Sequence, residues 1–251
     1  MKYITFPKYP LLLAEFVKST VDVLLPHACI SCNKTLSSLE ESGIFCEECL
    51  QKLVFIKEPY CSICGKPFLS PGENHTCGDC ILQKPPFILA RSIVGYGEVI
   101  ASGITRFKYG KNIGVGESLA TMFARHNFGG FTPENFDFIL PVPLHKNRLL
   151  ERGFNQSLIL AKAFAKKNNI PMDCNSLIRH IDTKPQASLE KKDREKNILN
   201  AFSLRDTKKI TGKSVIIIDD VYTTGSTIKE CSKILYAGGV QAVVALTLSR
   251  A

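Results

Sequence analysis

The feature that most constrains this chain is a set of four Cys-x-x-Cys pairs within residues 29–80. Successive pairs are separated by 13, 11 and 12 residues. One such pair, called a knuckle here, lets two thiolates reach one ion, and two knuckles complete a tetrahedral site of four sulfurs. The cysteines therefore predict two closed, structural zinc sites. The predicted ligands are Cys29, Cys32, Cys46, Cys49, Cys61, Cys64, Cys77 and Cys80.

Three other uses of these cysteines are less well supported. Disulfides are disfavoured because residues 10–26, the most apolar early stretch, contain Glu15, Lys18 and Asp22 and lack a signal-peptide cleavage site. A redox dithiol needs one knuckle rather than four, and even spacing favours zinc over an iron–sulfur cluster. Two pairings stay open, a double zinc ribbon of consecutive knuckles and a cross-braced arrangement. Gly65 and Gly78 follow knuckle cysteines, where we expect positive φ.

The composition and charge of the chain narrow its class and its partners. With 45% apolar and 22% charged residues among 251, it is typical of an ordered globular protein. The sequence contains no run of 18–20 apolar residues, which a membrane span would need. We therefore expect a cytoplasmic protein. Residues 1–140 carry 13 basic and 13 acidic side chains, whereas residues 141–251 carry 19 and 10. This local excess indicates phosphate, pyrophosphate or nucleic acid as a partner, although a solvated lysine-rich face gives the same count.

From residue 90 onward, short apolar runs alternate with helical segments. Continuous Val/Ile/Leu runs are typical of parallel strands buried on both faces, and this alternation predicts an α/β fold. The predicted strands are 90–96, 136–140, 215–219 and 242–248, and the predicted helices are 117–127, 156–168 and 227–236.

The most informative segment is residues 215–227, in which an apolar run ends in two acids and a Thr/Gly/Ser-rich turn opens a helix. In open α/β sheets, ligands bind beyond the carboxyl ends of the strands. The amino end of a helix offers free N–H groups and a positive dipole end to a phosphate. Asp219 and Asp220 can accept hydrogen bonds from sugar hydroxyls and lie near a hydrated Mg²⁺. Gly225 would let the backbone approach the ligand closely.

This segment resembles the phosphoribosyl pyrophosphate (PRPP) motif of type I phosphoribosyltransferases. The resemblance implies that Asp219 and Asp220 are catalytic residues that hold the ribose hydroxyls. It also implies magnesium bound together with PRPP. The remaining residues of the motif would form the 5′-phosphate site: Val221, Tyr222, Thr223, Thr224, Gly225, Ser226 and Thr227.

Further segments resemble the ComF/ComFC (GntX-like) family of bacterial competence proteins. They are residues 106–109, 140–156, 184–186 and 194–202, together with the cysteine region. The resemblance runs from about residue 24 to the end. It implies a zinc ribbon joined to a phosphoribosyltransferase-like domain, natural transformation by uptake of single-stranded DNA, and a ComFA-type DNA translocase as partner.

Basic side chains in these segments are candidates for binding pyrophosphate or DNA. Arg148 and Arg152 are spaced to fall on one side of a helix, although surface ion pairs would explain them as well. Residues 184–197 mix both signs of charge without an apolar face, which is typical of a mobile lid or of a solvated helix. Phe154 and Tyr109 are candidates for stacking on bases. The predicted anion-binding residues are Lys108, Arg148, Arg152, Lys184 and Arg194.

The sequence thus predicts a type I phosphoribosyltransferase-like parallel sheet flanked by helices and preceded by a small zinc-ribbon domain. The expected division is an N-terminal amphipathic helix or linker over 1–28, a double zinc ribbon over 29–85 and the transferase-like domain over 86–251. The leading hypothesis is a competence protein that binds PRPP and handles imported single-stranded DNA. The alternative is an active phosphoribosyltransferase that releases pyrophosphate from PRPP onto an unidentified acceptor.

Overall fold

A computed structural model describes residues 28–36, 44–110, 112–183 and 198–251. The chain divides into two compact units, residues 1–52 and 53–251, and each is treated by itself. The division falls between the second and third knuckles, so that the third and fourth knuckles belong to the unit that contains the sheet. Most of the predicted N-terminal helix, residues 1–27, lies outside the described residues, and the domain boundaries at 28 and 85 stay predictions.

The two halves of the cysteine region have the same local architecture. Each half opens with a knuckle bracketed by an antiparallel bridge, Ala28 with Thr35 in the first and Tyr60 with Pro67 in the second. In each half the second pair lies on a short helix, α1 (Glu47–Gln51) or α2 (Gly78–Leu82), whose N-cap is a cysteine. Each half therefore brings two consecutive knuckles together, and the cross-braced alternative is excluded.

One of the two glycine predictions in this region is confirmed and the other is wrong. Gly65 has a φ of +72°, and Asn33 holds the equivalent left-handed position of the first half with a φ of 65°. Gly78 is instead the first residue of α2 and has no positive φ. A residue that follows a helix-capping cysteine needs helical backbone, so glycine has no conformational role there.

The second unit is built on a four-stranded parallel sheet in the order β1–β6–β5–β2. The strands are β1 (Leu89–Gly95), β2 (Phe138–Pro141), β5 (Ser214–Tyr222) and β6 (Ala242–Arg250). A separate antiparallel pair is formed by β3 (Leu177–Arg179) and β4 (Phe202–Leu204). The α/β prediction is confirmed.

Helices cover both faces of this sheet because its central strands are apolar on both sides. The helices are α3 (Glu98–Tyr109), α4 (Ile113–Arg125), α5 (Lys146–Arg152), α6 (Gln156–Asn168) and α7 (Ser226–Ala237). Val215 and Ile217 of β5 share a buried cluster with Ile228 and Leu235 of α7. The intervening residues of β5 point to the opposite face and are equally buried.

Two departures from the predicted elements matter for the site. Strand β5 continues to Tyr222, three residues beyond the predicted end, so that both acids belong to the strand. Beyond Pro141, however, β2 no longer pairs with β5 in the ladder, whose last partners are Pro141 and Ile218. The two acids therefore lie where the sheet loses one neighbouring strand, and a cavity has room to form beside them.

Candidate functional site

A cavity of about 380 Å³ lies at the carboxyl end of β5. This volume is near the lower end of the usual range for small-molecule sites, about 300–1,000 Å³. Residues from β5, α3, α5, α6 and the start of α7 surround it, together with the chain end. Its lining comprises Tyr96, Lys108, Tyr109, Val142, Leu144, Arg148, Arg152, Gln156, Ser157, Arg179, Thr183, Asp219, Asp220, Val221, Thr223, Thr227 and Ala251.

Asp219 is held in place by two hydrogen bonds to the same carboxylate oxygen. Ser157 Oγ donates to Asp219 Oδ1 at 2.8 Å, and the backbone N–H of Asp220 donates to it at 2.9 Å. Burial and the adjacent charge of Asp220 nevertheless raise the pKa of Asp219 to about 7, because these two hydrogen bonds and Lys108 only partly offset them. Near neutral pH, Asp219 is therefore poised between its neutral and charged forms.

Asp220 forms an ion pair with Lys108 of α3. The two side chains are 11% and 21% exposed, so the pair is largely removed from water. Burial lowers the pKa of Lys108, but the charges of Asp220 and Asp219 outweigh that effect and raise it. Lys108 thus stays a cation inside the cavity, and its charge is partly neutralised before any ligand arrives.

The hydroxyl-rich segment after β5 turns into α7 through Gly225, the N-cap residue, at a φ of 73°. Thr224 Oγ1 donates to Ser226 Oγ at 3.0 Å and accepts from the Ser226 backbone N–H at 3.3 Å. Thr223 and Thr227 line the cavity together with Val221, whereas Tyr222, Thr224, Gly225 and Ser226 do not. Four of these seven predicted ligands therefore shape the turn and do not face the cavity.

Two of the predicted basic residues of the cavity belong to α5. Arg148 and Arg152 both line the cavity, as their spacing on one side of a helix predicts. The Arg152 guanidinium lies 5.5 Å from the centre of the Tyr109 ring, and Arg148 Nε is 4.0 Å from Asp182 Oδ1. Lys184 and Arg194 lie outside the described residues.

Sequence reasoning missed several residues of the cavity, most importantly Arg179. It belongs to β3, a three-residue strand that the apolar pattern does not reveal, and its guanidinium donates to Thr183. Burial lowers the pKa of Arg179, although the negative charge of Asp219 partly offsets this effect. Gln156 is 3% exposed, and its Oε1 has no hydrogen-bond partner within the described ranges. The sequence signal that could have pointed to Gln156 and Ser157 is their place at the start of the helix that follows Asn155.

The cysteines of the two halves form two separate clusters with the geometry that a zinc ion requires. Within each cluster the four sulfurs lie within 4.8 Å of one another. The Sγ–Sγ distance is 3.5 Å between Cys32 and Cys46 and 3.8 Å between Cys64 and Cys77. A tetrahedral site with Zn–S bonds of about 2.3 Å needs sulfurs about 3.8 Å apart, so the donors fit zinc.

Backbone groups favour the thiolate form in which cysteine binds zinc. The N–H groups of Cys64 and Cys77 donate to Cys61 Sγ at 3.4 and 3.3 Å. Burial would raise the pKa of Cys61, but these hydrogen bonds outweigh it and lower the pKa to about 6. Cys61 is thus biased towards the thiolate form, whereas burial raises the pKa of Cys64 and of Cys80 in the same cluster.

Within the described residues, none of the helices combines the length and apolar character needed to cross a membrane.

The parallel sheet, the acid pair at its carboxyl edge and the two four-cysteine clusters define a phosphoribosyltransferase-like protein with a double zinc ribbon. Comparison with protein families agrees: a double zinc ribbon domain matches residues 20–81, and a phosphoribosyl transferase domain matches residues 155–250. The predictions of the fold class and of two structural zinc sites are confirmed.

Full-length relatives identify the family. Competence protein F of Haemophilus influenzae is 32% identical over 231 residues, covering 89% of this chain and 96% of that protein. The DNA utilization protein YhgH of Escherichia coli K12 is 29% identical over 232 residues, with 90% and 98% covered. Competence protein ComFC of Bacillus subtilis is 29% identical over 226 residues, with 86% and 88% covered. This chain belongs to the competence protein F family, as its motifs predict.

Proposed function

We propose that this protein is a competence-associated protein that binds PRPP with Mg²⁺ in the cavity at the end of β5 and handles imported single-stranded DNA in the cytoplasm. The observation that carries the proposal is the charge arrangement of one cavity. Two acids and the amino end of a helix line it together with three arginines. The names of the relatives, competence protein and DNA utilization protein, support the cellular role.

The cavity offers a different set of groups for each part of PRPP. The carboxylates of Asp219 and Asp220 accept hydrogen bonds from ribose hydroxyls. The first N–H groups of α7, with the hydroxyls of Thr223 and Thr227, suit the 5′-phosphate. Arginine forks suit the pyrophosphate, because they can donate two parallel hydrogen bonds to one phosphate group. The turn residues Tyr222, Thr224, Gly225 and Ser226 act in this proposal through the shape of the turn.

Magnesium fits the same site by its donor chemistry. Mg²⁺ in proteins is usually held by one or two carboxylates together with phosphate oxygens of the substrate. Asp219 and Asp220 supply the carboxylates, and bound Mg²⁺ would neutralise charge on the pyrophosphate. A cation near Asp219 also favours its charged form, so we expect PRPP and Mg²⁺ to bind with release of a proton near pH 7.

Single-stranded DNA is the second proposed ligand, and the cavity rim has both kinds of group that such binding requires. Arg148, Arg152 and Arg179 supply charge for phosphates, and the Tyr109 side chain, 61% exposed, offers a ring on which a base can stack. Phe154 is less suited, because its ring stacks on Phe107 with centroids 5.1 Å apart. Lys184 and Arg194, which the sequence predicts as further anion-binding residues, stay part of the proposal.

Salt dependence tests the DNA proposal quantitatively. If the three arginines each contact one phosphate, the binding constant for single strands falls with a log–log slope of about −2. Affinity for a fluorescent oligonucleotide should then drop about 20-fold between 50 and 200 mM salt. A flat response contradicts a phosphate-based mode. Arg152→Gln should lower both the affinity and the slope, whereas the matched control Arg125→Gln, an exposed arginine away from the cavity, should change neither.

Competition between the ligands tests whether both use one cavity. PRPP with Mg²⁺ should displace the oligonucleotide from the wild-type protein, because both anions need the same arginines. If both bind at full affinity together, DNA binds elsewhere and only the PRPP part of the proposal stands.

An active phosphoribosyltransferase is the second candidate, favoured by two further groups in the cavity lining. Tyr96 and Gln156 line the cavity and offer the aromatic and amide groups that an acceptor site needs. Catalysis would rest on stabilising charge on the departing pyrophosphate by the basic side chains. Incubation with PRPP, Mg²⁺ and cell metabolites should then release pyrophosphate, and Asp220→Asn should abolish the release. No release from the wild-type protein contradicts this candidate.

A ComFA-type DNA translocase is the protein partner proposed. The first half of the double ribbon, which is proposed to span residues 29–85, is the surface that we assign to it. Pull-down of the translocase by the full chain, and its loss on removal of residues 1–52, would support the assignment. Undiminished capture by the shortened chain would contradict it.

A further inference from the structure

Arg250, the last residue of β6, connects the second cysteine cluster with the site. Its Nη1 donates to the backbone oxygen of Cys64 at 2.6 Å, and its Nη2 lies 3.6 Å from Cys64 Sγ. The same guanidinium lies over the Tyr222 ring, with Cζ 4.4 Å from the ring centre. One side chain thus contacts a predicted zinc ligand and the residue that ends β5.

Tyr222 in turn supports the turn that opens α7. Its side chain is 4% exposed, and a Cβ added to Gly225 would lie 2.2 Å from its hydroxyl oxygen. The phenol therefore packs directly against the turn backbone. The backbone oxygen of Tyr222 accepts a hydrogen bond from the N–H of Ala251 at 2.9 Å, which ties the chain end to the same place.

The knuckle that carries Cys64 is itself fixed to the sheet. The N–H of Ala90 in β1 donates to the oxygen of Ile63 at 2.7 Å, and Arg91 Nη2 donates to the oxygen of Ser62 at 3.0 Å. Gly65 lies so close that a Cβ there would be 2.5 Å from the Ala90 oxygen. The knuckle is thus held by β1 on one side and by Arg250 of β6 on the other.

We infer that Arg250 is a positioning residue through which the second zinc centre holds the Tyr222–Gly225 turn in its ligand-binding shape. The inference rests on the proposed PRPP site for its functional consequence. With zinc bound, Cys64 is an anionic thiolate in a fixed knuckle, and both its oxygen and its sulfur keep the guanidinium over Tyr222. Without zinc, the knuckle keeps its contacts with β1 but loses the constraint of the metal, and Arg250 loses the fixed thiolate that anchors it. The turn then becomes mobile and its N–H groups are no longer preorganised for a phosphate.

Linkage requires that this effect be reciprocal. If zinc at the second centre strengthens ligand binding, the ligand must strengthen zinc retention there by the same factor. The first cluster provides an internal comparison, because it has the same local architecture and belongs to the other compact unit.

Hydrogen exchange of the full, zinc-loaded chain tests the inference without any ligand. In Arg250→Gln, amides of residues 223–228 should exchange about tenfold faster than in the wild type, the change expected for losing a charge-assisted hydrogen bond. Amides of β6 residues 243–247 should not change. Arg205→Gln, an exposed arginine of the same charge, is the matched control and should leave both segments unchanged. Equal exchange of 223–228 in wild type and Arg250→Gln overturns the inference.

A second variant covers the case in which Arg250→Gln does not fold. Arg250→Lys keeps the charge and a donor but lacks the planar fork, so amides of residues 223–228 should exchange faster in this variant than in the wild type. A lysine variant indistinguishable from the wild type would refute a role for the guanidinium.

Ligand binding and zinc release complete the test. PRPP with Mg²⁺ should bind Arg250→Gln about tenfold more weakly than Arg205→Gln, in line with the loosened turn. In the wild type, PRPP with Mg²⁺ should slow the release of one of the two zinc ions to a chelator. In Arg250→Gln it should slow the release of neither ion. PRPP that binds but protects no zinc contradicts the coupling. PRPP that does not bind the wild type refutes the proposed function, and the exchange comparison then decides the inference alone.

Discussion

Replacing Asp219 by asparagine should change the free energy of unfolding in a pH-dependent way. The difference between the variant and the wild type should shift in favour of the variant from pH 5 to pH 8. The carboxylate lies in the cavity beside Asp220, and burial with that second charge raises its pKa from 3.8 to about 7. Asparagine keeps an oxygen for the hydrogen bonds from Ser157 and the Asp220 N–H, and it carries no charge. The substitution therefore removes the charge penalty with little change in packing.

The sign and size of the effect follow from proton linkage. Between pH 3.8 and 7 the folded protein binds this proton more tightly than the unfolded chain, so the wild-type free energy of unfolding falls as pH rises and levels off above pH 7. The asparagine variant has no such dependence, because its amide does not titrate. From pH 5 to pH 8 the variant should gain up to about 2.5 kcal/mol over the wild type.

Urea unfolding at pH 5 and pH 8, in buffer without Mg²⁺, measures this difference, because other titrating groups cancel between the two proteins. Asp137→Asn is the control. The Ser214 N–H and Lys213 lower the pKa of Asp137 below its ordinary value. Its contribution to the free energy of unfolding is therefore complete above that ordinary pKa and constant from pH 5 to 8. If the advantage of Asp219→Asn is the same at both pH values, the burial argument is wrong.

Three further predictions follow from the same contacts. Gly225→Ala and Gly212→Ala both place alanine at a φ near +72°, costing about 1–2 kcal/mol each, but only at Gly225 does the new Cβ collide with a ring, so calorimetry should find PRPP binding lost in that variant alone. Lys108→Met should destabilise the protein by about 1–3 kcal/mol, less than for a fully buried pair. Adding Asp220→Asn should recover part of this loss in thermal unfolding, because the two side chains form an ion pair. Simple additivity of the two substitutions would refute the coupling. Elemental analysis should find two zinc ions per chain and one in Cys64→Ser; two in the variant would refute the ligand assignment.

The features predicted correctly from sequence are those with a strong local signal. A knuckle needs two thiolates within one turn, so the cysteine spacing predicts both zinc sites without tertiary information. The segment from Val215 to Thr227 likewise contains nearly all of β5, the turn and the start of α7. Helix α6 begins and ends as predicted because Asn155 caps it and Asn169 adopts a left-handed backbone.

The features missed depend on contacts between distant segments. Helix α4 begins at Ile113 rather than 117, because Asn112 caps it and Gly116 lets it pack closely on Phe107, although glycines argue against a helix. The Arg179 side chain reaches the cavity from a short strand that pairs with β4. The Arg250 contact with Cys64 joins residues 186 positions apart.

The central claim is that the cavity at the end of β5 receives PRPP, and calorimetric titration with PRPP and Mg²⁺ tests it most directly. We expect one PRPP per chain, with heat that depends on buffer ionisation near pH 7 because Asp219 releases its proton on binding. We expect the affinity for PRPP to be at least tenfold lower in Arg148→Gln than in the wild type, and unchanged in Arg125→Gln. Absence of heat from the wild-type protein, or equal affinity in both arginine variants, would contradict the account.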